Sequence, residues 1–267
     1  MPDLFIETRG HGDTHIVLLH GWAMTGSVFA PLAGQLESRC TLHLVDLPGH
    51  GRSRENEVSL EPADSARAIA QAVPPGAIWL GWSLGGVIAL QAALDFPEHV
   101  RALAMLCASP RFVRGNDWPH AISPEILQQF AADLREDHRA TLERFLALEA
   151  LGSDSAQEDL RQLRHDTFAE TAPSLRALCE GLEVLEHTDL RARVHKIRQP
   201  SAWIAGRRDR LVPWQAMQWG AQQCGGTFTR IHGGGHAPFI GHADEVIAAL
   251  QPLLENLGAE AQAGVFQ

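Results

Sequence analysis

The fold is decided by the stretch Ala77-Ile78-Trp79-Leu80-Gly81-Trp82-Ser83-Leu84-Gly85-Gly86 and the apolar segment 87–94 that follows it. The run from Ala77 to Leu80 is typical of a short buried strand, and segment 87–94 is typical of a helix that ends at Phe96-Pro97. Between them lies a G-x-S-x-G pentapeptide. A strand, a sharp turn and a helix around this pentapeptide predict a nucleophile elbow with Ser83 at its tip.

The elbow chemistry explains the residue types. A serine at the tip must hold a strained backbone, and strand and helix pass this close only where flanking residues lack side chains. The amide of Leu84 begins a helix, where unpaired N–H groups and the helix dipole favour a developing oxyanion. The alternative is a glycine-rich turn whose serine only caps the helix. The strand before and the helix after favour a nucleophilic Ser83.

Other apolar runs, typical of buried strands, alternate with helical stretches along the chain. They lie at 16–19, 41–46, 100–108, 201–205 and 227–231, with helical patterns at 26–36, 60–73 and 244–257. This alternation predicts an α/β fold with a mostly parallel, doubly wound sheet.

The pattern breaks between residues 110 and 187, which are almost entirely helical in pattern and contain no convincing strand. An insertion after the strand that follows the elbow lies above the carboxyl ends of the strands, where open α/β sheets bind ligands. We therefore expect a core of residues 1–109 and 188–257, a helical lid of residues 110–187, and a disordered tail of residues 258–267.

A nucleophilic serine needs a histidine, and in such a fold the chain order is nucleophile, acid, histidine. Among fourteen histidines, His236 follows the last strand in the glycine-rich loop 233–239, at the rim where Ser83 emerges. His242 begins the final helix, and we expect it to be solvated. His236 is the predicted base.

The acid should follow the strand that ends at Ala205, where Asp209 lies among Arg207, Arg208 and Arg210. A loop aspartate paired with three arginines is the alternative, and both can hold because cations keep a carboxylate ionised. Asp46 precedes the serine, so we expect it to brace the loop 48–53 instead.

The second oxyanion donor should follow the strand 16–19, where the amide of Trp22 in His20-Gly21-Trp22 fits. Alternatively, Trp22 is only a core aromatic residue. Neither H-E-x-x-H nor paired cysteines occur, so the sequence predicts neither a metal site nor a cofactor.

Composition excludes several classes of protein. The 267 residues are 45% hydrophobic and 20% charged, as in ordinary soluble domains, with no run long enough to cross a bilayer. The N-terminus lacks a signal-peptide pattern and four cysteines lie far apart, so we expect reduced thiols and a cytoplasmic location. A net charge of −10 argues against nucleic acid. We expect a monomer without nucleic-acid or membrane partners.

With these residues in hand, the chain resembles the α/β-hydrolase family over nearly its whole length. Within that family it is similar to the carboxylesterases of bacterial biotin synthesis that act on pimeloyl-acyl-carrier-protein methyl ester. The stretches that carry the likeness are 18–22, 42–49, 78–86, 143–148 and 236–240, with tryptophans at 22, 79 and 82. A serine in the elbow excludes the dehalogenase and epoxide hydrolase branches, which use aspartate.

This resemblance implies that Ser83 attacks the methyl ester of a carrier-bound pimeloyl chain and that methanol leaves. Substrate-binding positions would be Trp22, Ser83, Leu84 and His236, together with Phe145 and Glu149 in the acyl channel. Glu149 is a departure, because we expect a neutral amide there.

The carrier is acidic, so the resemblance also implies a docking patch on the lid. Its candidates are Arg139, Arg144, Arg161 and Arg164. The alternative is that they are surface ion pairs, Arg139 with Glu143 and Arg161 with Glu158, worth a few tenths of a kcal/mol each.

Other functions stay open at this point. A general short-chain carboxylesterase or a carbon–carbon bond hydrolase would use the same triad, and a non-catalytic hydrolase fold could act as a ligand receptor. The complete set Ser83, Asp209 and His236 argues against the receptor.

Overall fold

A seven-stranded sheet runs through the part of the chain that the computed structural model describes, residues 3–169 and 172–263. The strands are β1 (Ile6–Arg9), β2 (Thr14–Leu19), β3 (Cys40–Val45), β4 (Ala77–Trp82), β5 (Val100–Leu106), β6 (Ser201–Gly206) and β7 (Thr227–Ile231). Their order across the sheet is β1-β3-β2-β4-β5-β6-β7. All neighbours are parallel except β1, which runs antiparallel to β3.

Both faces of this sheet are buried. Along β2, Val17 and Leu19 belong to one hydrophobic core and Ile16 and Leu18 to the other, because successive side chains of a strand point to opposite faces. Burial on both sides explains why the strands are continuous apolar runs. The predicted doubly wound α/β-hydrolase fold is confirmed.

Helices cover the two cores and form an insertion. The described helices are α1 (Ala30–Leu36), α2 (Pro62–Ala72), α3 (Leu84–Asp95), α4 (Pro124–Glu136), α5 (His138–Ala150), α6 (Ala156–Ala169), α7 (Leu175–His187), α8 (Trp214–Cys224), α9 (Pro238–Gly241) and α10 (Ala243–Ala263). Helices α2, α3 and α8 contribute to one core, and α1 and α10 to the other. No helix in the described ranges is long and apolar enough to cross a membrane.

The insertion consists of α4 to α7, between β5 and β6, and matches the helical pattern of residues 110–187. Hydrogen bonds tie it to loops at the carboxyl ends of the strands. The amide of Asp154 donates to the carbonyl of Gly233 at 3.1 Å, and the amide of Ser174 donates to the carbonyl of Gly49 at 2.9 Å. The insertion therefore lies over the edge where ligands bind in such sheets.

Two features differ from the sequence prediction. Strand β1 is absent from the prediction because four residues at a sheet edge, only partly buried, carry too little periodicity. Helix α10 continues to Ala263, so the predicted end near Leu257 is wrong and residues 258–263 of the predicted tail are helical. Alanine, glutamate and glutamine favour helix there, and one glycine does not stop it. Residues 264–267 lie outside the described residues.

We predict that Gly81→Ala lowers the free energy of unfolding by about 1–3 kcal/mol or more, as overpacking does. A Cβ on Gly81 would lie 2.3 Å from the carbonyl oxygen of Gly85, which is backbone and cannot move aside. The matched control is Gly34→Ala in α1, whose Cβ meets nothing within 4 Å and should stabilise by about 0.5–1 kcal/mol. Urea unfolding measures both; equal stabilities would contradict the close packing at the elbow.

Candidate active site

Ser83 lies at a sharp turn between β4 and α3, with φ +54° and ψ −119°. Positive φ is uncommon for a residue with a side chain and costs about 1–3 kcal/mol. The turn is held by close packing, because a Cβ on Gly85 would lie 2.2 Å from the carbonyl oxygen of Leu19. The amide of Ser83 donates to the carbonyl of Leu106 at 3.1 Å, which fixes the tip to β5. This is the elbow that the sequence predicts.

The structure brings together the three residues predicted as the triad. The Oγ of Ser83 lies 3.0 Å from Nε2 of His236, and Nδ1 of His236 lies 2.8 Å from Oδ2 of Asp209. The loops after β4, β6 and β7 supply the serine, aspartate and histidine. These loops meet because the carboxyl ends of parallel strands share one edge of the sheet.

The surroundings of Asp209 fix the imidazole tautomer. Its Oδ1 accepts hydrogen bonds from the amides of Leu211 and Val212 at 2.8 and 2.9 Å, so Oδ2 is left for His236. A carboxylate only accepts, which places the imidazole proton on Nδ1 and leaves Nε2 to accept the proton of Ser83. No ion pair between Asp209 and an arginine occurs among the described residues, so the alternative in which Asp209 pairs with its neighbouring arginines is wrong.

The two predicted oxyanion donors flank Ser83. Trp22 lies in the turn after β2, and Leu84 is the first residue of α3. No acceptor for either amide is found within the described ranges. The side chain of Trp22 donates from Nε1 to the carbonyl of Leu178 at 2.9 Å and is fully buried. Trp22 is therefore a packed aromatic residue whose amide remains available.

His20 supports the loop that carries Trp22. Burial lowers the pKa of His20 to about 4, so its ring is neutral at pH 7. Its Nε2 accepts from the amide of Leu47 at 2.9 Å, and its Nδ1 therefore donates to the carbonyl of Gly21 at 2.8 Å. The histidine of the His20-Gly21-Trp22 motif thus shapes this loop.

Two residues near the triad were missed by sequence reasoning. Trp82 donates from Nε1 to the carbonyl of His236 at 2.8 Å and fixes the histidine loop. The thiol of Cys107 lies within 4.8 Å of the ligand atoms of Asp209 and His236, a grouping that could hold a metal ion. Burial raises the pKa of the Cys107 thiol, which keeps it protonated and a poor metal ligand. Neither contact could be foreseen, because each joins segments more than a hundred residues apart or depends on burial.

The residues considered as alternatives have other contacts. Asp46 is fully buried and accepts from the amides of Gly26 and Arg52 at 2.8 and 2.9 Å, so it braces the loop as predicted. His242 is not simply solvated, because its two ring nitrogens lie 2.9 Å from Glu245 and from Asp154 of the insertion. It links the insertion to the core.

Helix α5 closes the site from above. Phe145 packs edge-on against Trp22 with ring centroids 4.6 Å apart, and the amide of His236 donates to the carbonyl of Glu149 at 3.3 Å. Ser83 is only 2% exposed and His236 only 1%. Both reactive side chains are therefore almost fully buried in this structure.

Glu149 carries a fully buried carboxyl group with no hydrogen-bond partner among the described residues. Burial, together with the charge of Asp209, raises the pKa of Glu149 well above its ordinary value. A buried carboxyl without a partner is stable only as the neutral acid. Glu149 is then a free O–H donor inside the site.

The four arginines predicted to dock a carrier all have partners on the insertion. Arg144 pairs with Asp133, Arg161 with Glu158 at 2.5 Å, and Arg164 with Glu143 at 2.5 Å. Arg139 lies over the ring of Phe168 at 4.9 Å. The expected pair of Arg139 with Glu143 is wrong, because Glu143 faces α6 and binds Arg164 there. The pair of Arg161 with Glu158 is confirmed.

Comparison with known proteins agrees with this geometry. A family model described as the alpha/beta hydrolase fold matches residues 14–243. A pimeloyl-[acyl-carrier protein] methyl ester esterase of Stenotrophomonas maltophilia (strain R551-3) is 54% identical over 255 residues, covering 95% of this chain and 97% of that protein. A protein of the same name from Xanthomonas axonopodis pv. citri (strain 306) is 53% identical over 255 residues, covering 95% and 100%.

Solved structures share the fold at low identity. An esterase from Exiguobacterium antarcticum matches with a TM-score of 0.83 at 20% identity, covering 94% of this chain and 95% of that chain. A bromoperoxidase from Bacillus anthracis matches with a TM-score of 0.85 at 19% identity and the same coverage. One of these proteins is called an esterase and the other a bromoperoxidase, so the fold alone does not select an activity.

We predict that Glu149→Gln stabilises the protein, increasingly as pH rises. Because the pKa of Glu149 is raised in the folded state, the wild-type protein has its full stability below the ordinary pKa of glutamate. It loses stability as pH climbs toward the folded pKa. Glutamine has the same shape and does not titrate, so the variant escapes this loss, which is about 1.4 kcal/mol per pKa unit. Melting temperatures from pH 5 to 8 measure it; a difference independent of pH would show that Glu149 is paired.

Proposed function

This chain belongs to the α/β-hydrolase family, and we propose that it is a serine carboxylesterase that hydrolyses the methyl ester of pimeloyl-acyl-carrier protein. The products would be pimeloyl-carrier and methanol, a step of biotin synthesis. The hydrogen-bonded Ser83, His236 and Asp209 support the reaction class. The substrate is supported by 54% identity over 95% of the chain to an esterase of that name. The four cysteines are free, which fits the reducing cytoplasm that we propose as its location.

In the first half-reaction, Oγ of Ser83 attacks the carbonyl carbon of the methyl ester while Nε2 of His236 takes its proton. The carboxylate of Asp209 stabilises the imidazolium that forms and holds it in place. The tetrahedral intermediate then collapses, His236 returns the proton to the methoxy oxygen, and methanol leaves. The acyl chain remains bound to Ser83 as an ester.

In the second half-reaction, His236 takes a proton from water, and the resulting hydroxide attacks the acyl-serine carbonyl. The new intermediate collapses with transfer of the proton back to Oγ of Ser83. The product is a carrier-bound chain with a free carboxyl end. One water is consumed and one methanol is released in each cycle.

The amides of Trp22 and Leu84 would hold the oxyanion in both intermediates. Neither has another acceptor among the described residues, and Leu84 adds the positive end of the α3 dipole. Such donors contribute about 2.7–4 kcal/mol each to the stability of a transition state. Buried surroundings strengthen them, since Trp22 and Leu84 are both fully inaccessible to solvent.

The acyl chain would follow a row of aromatic side chains. Trp22 packs on Phe145, and Phe145 packs on Phe130 with ring centroids 5.5 Å apart. Phe130 in turn lines a surface pocket of about 310 Å³, together with Ile126 and Arg144. This row suits the methylene chain of a pimeloyl group. Its pocket would be the entrance through which the carrier inserts its arm.

Glu149 would lie against this chain one helical turn beyond Phe145. As a neutral acid it can donate a hydrogen bond to an ester or thioester oxygen, the role that an amide side chain could also fill. An ionised Glu149 would instead repel the carboxylate product. Neutral Glu149 is therefore compatible with a substrate whose ester is uncharged.

We place carrier docking on the insertion at Arg139, Arg144, Arg161 and Arg164. Exposed ion pairs are worth at most about 1 kcal/mol, so acidic groups of a carrier can replace the internal partners Asp133, Glu158 and Glu143 at small cost. Arg144 lies at the rim of the entrance pocket. A carrier held there would have its arm directed toward the aromatic row.

We predict that Ser83→Ala abolishes hydrolysis of the carrier-bound methyl ester, by about 10⁴-fold or more in kcat, with the fold unchanged. Oγ forms the covalent intermediate, and its removal takes away few packing contacts. Methanol release by the purified wild type tests the function, and a melting curve controls for folding. Substantial turnover by the variant would reject Ser83 as the nucleophile. A wild type active on p-nitrophenyl acetate but inactive on the carrier-bound ester would reject the substrate.

We predict that the double variant Arg144→Glu/Arg161→Glu raises KM for carrier-bound substrate, since it turns the docking patch acidic. The effect should shrink as salt screens the charges. A small free methyl ester, which touches only the site, should be cleaved at the wild-type rate. Steady-state kinetics at low and high salt measure this; equal losses on both substrates would indicate a damaged insertion.

A further inference from the structure

The loop after β6 carries three arginines around the triad aspartate. We call Arg207, Arg208 and Arg210 the arginine loop. All three side chains are exposed, whereas Asp209 between them is buried. Within a chain of net charge −10, this is a concentrated positive surface beside the site.

Within the described part of the chain, the arginine loop has no acidic partner. Arg207 approaches Nδ1 of His232 at 3.4 Å, and for Arg208 and Arg210 no side-chain partner exists in the described part of the chain. The adjacent carboxylate of Asp209 cannot serve, because two amides and His236 occupy it. The four docking candidates of the insertion, Arg139, Arg144, Arg161 and Arg164, are in contrast paired with acids or stacked on a ring.

These arginines line a concave surface. A pocket of about 350 Å³ is bounded by Gly152, Asp209 and the arginine loop. Gly152, just past the end of α5, has φ +94°, and a Cβ there would lie 2.6 Å from the carbonyl oxygen of Arg208. The pocket therefore lies where the core meets the insertion, at the end of the helix that carries Phe145 and Glu149.

We propose that the arginine loop is a second docking surface for the acidic face of the acyl-carrier protein, an inference that rests on the function proposed above. Acidic protein and acidic carrier repel each other unless a local positive surface steers their encounter. The arginine loop provides that surface at the edge of the sheet where Ser83 lies, formed by the carboxyl ends of the strands. A net charge of −10 argues against nucleic acid as the partner of this surface.

The arginine loop should contribute more to docking than the arginines of the insertion. Docking on Arg144, Arg161 or Arg164 must first break an existing ion pair, which reduces the net gain. Docking on Arg208 or Arg210 breaks none. Charge reversal at the arginine loop should therefore have the larger, more salt-dependent effect on carrier association.

The test compares two double variants of the full chain, Arg208→Glu/Arg210→Glu and the control Lys196→Glu/Arg198→Glu. Each replaces two positive charges by two negative ones in exposed residues beside β6, but the control lies at the opposite end of that strand. We expect kcat/KM for carrier-bound methyl ester to fall about ten-fold at low salt in the first variant, mainly through KM, and to recover at high salt. The control should change less than about two-fold.

Four kinetic outcomes would overturn the proposal. An equal loss on a small free methyl ester would mean that the arginines act on Asp209. An equal loss in the control would mean that only net charge matters, and no loss in either would mean that the arginines do not dock the carrier. Stronger inhibition by phosphate than by chloride at equal ionic strength would assign the loop to a small anion instead.

Direct binding separates this proposal from the proposed function and from folding. The carrier is titrated into Ser83→Ala protein with and without Arg208→Gln/Arg210→Gln, a neutral change that spares the loop from repulsion. Weaker binding by the glutamine variant supports docking even if the wild type cleaves no carrier-bound ester. That failure to cleave would reject only the proposed function. Unchanged binding overturns docking even if the wild type cleaves that ester well.

Discussion

The packing of backbone against backbone at the elbow is the constraint on which the rest of the site depends. Strand β4 and helix α3 approach so closely that a Cβ on Gly81 would lie 2.3 Å from the carbonyl oxygen of Gly85. This approach, together with the hydrogen bond from the amide of Ser83 to the carbonyl of Leu106, holds Ser83 at positive φ. The loops after β6 and β7 meet the hydroxyl because parallel strands end at one edge. In a looser elbow, Ser83 would be displaced from Asp209 and His236.

Two buried carboxyl groups share the closed site and differ in what surrounds them. Asp209 receives two backbone N–H groups and the imidazole, so its charge is compensated. Among the described residues Glu149 has no such partner, and its pKa rises above the ordinary value because of burial and the charge of Asp209. Environment thus lets Asp209 orient the base while Glu149 remains a neutral donor.

The arginines near the site, like the two carboxyl groups, differ in what surrounds them. The four docking candidates on the insertion are paired with acids or stacked on a ring, whereas Arg208 and Arg210 face solvent with no side-chain partner among the described residues. The sequence predicts docking on the insertion and suggests the arginines after β6 only as partners of Asp209. The two sets of arginines differ in which positive charges remain available to a partner. For the insertion, this depends on how α5 and α6 pack. Net charge describes the long-range field, but docking depends on these local imbalances.

The sequence by itself determined the features encoded within a few residues or by chain order. Apolar runs and glycine spacing indicated the sheet and the elbow, and the order serine, aspartate, histidine indicated which loops meet. Tertiary structure alone decided the contacts between distant segments: Trp82 with the His236 loop, Cys107 beside the triad, and Arg164 rather than Arg139 as the partner of Glu143. It also decided that Glu149 is buried with no hydrogen-bond partner among the described residues. Local patterns report backbone preference, whereas a pKa or an ion pair depends on packing between residues that the chain itself keeps far apart.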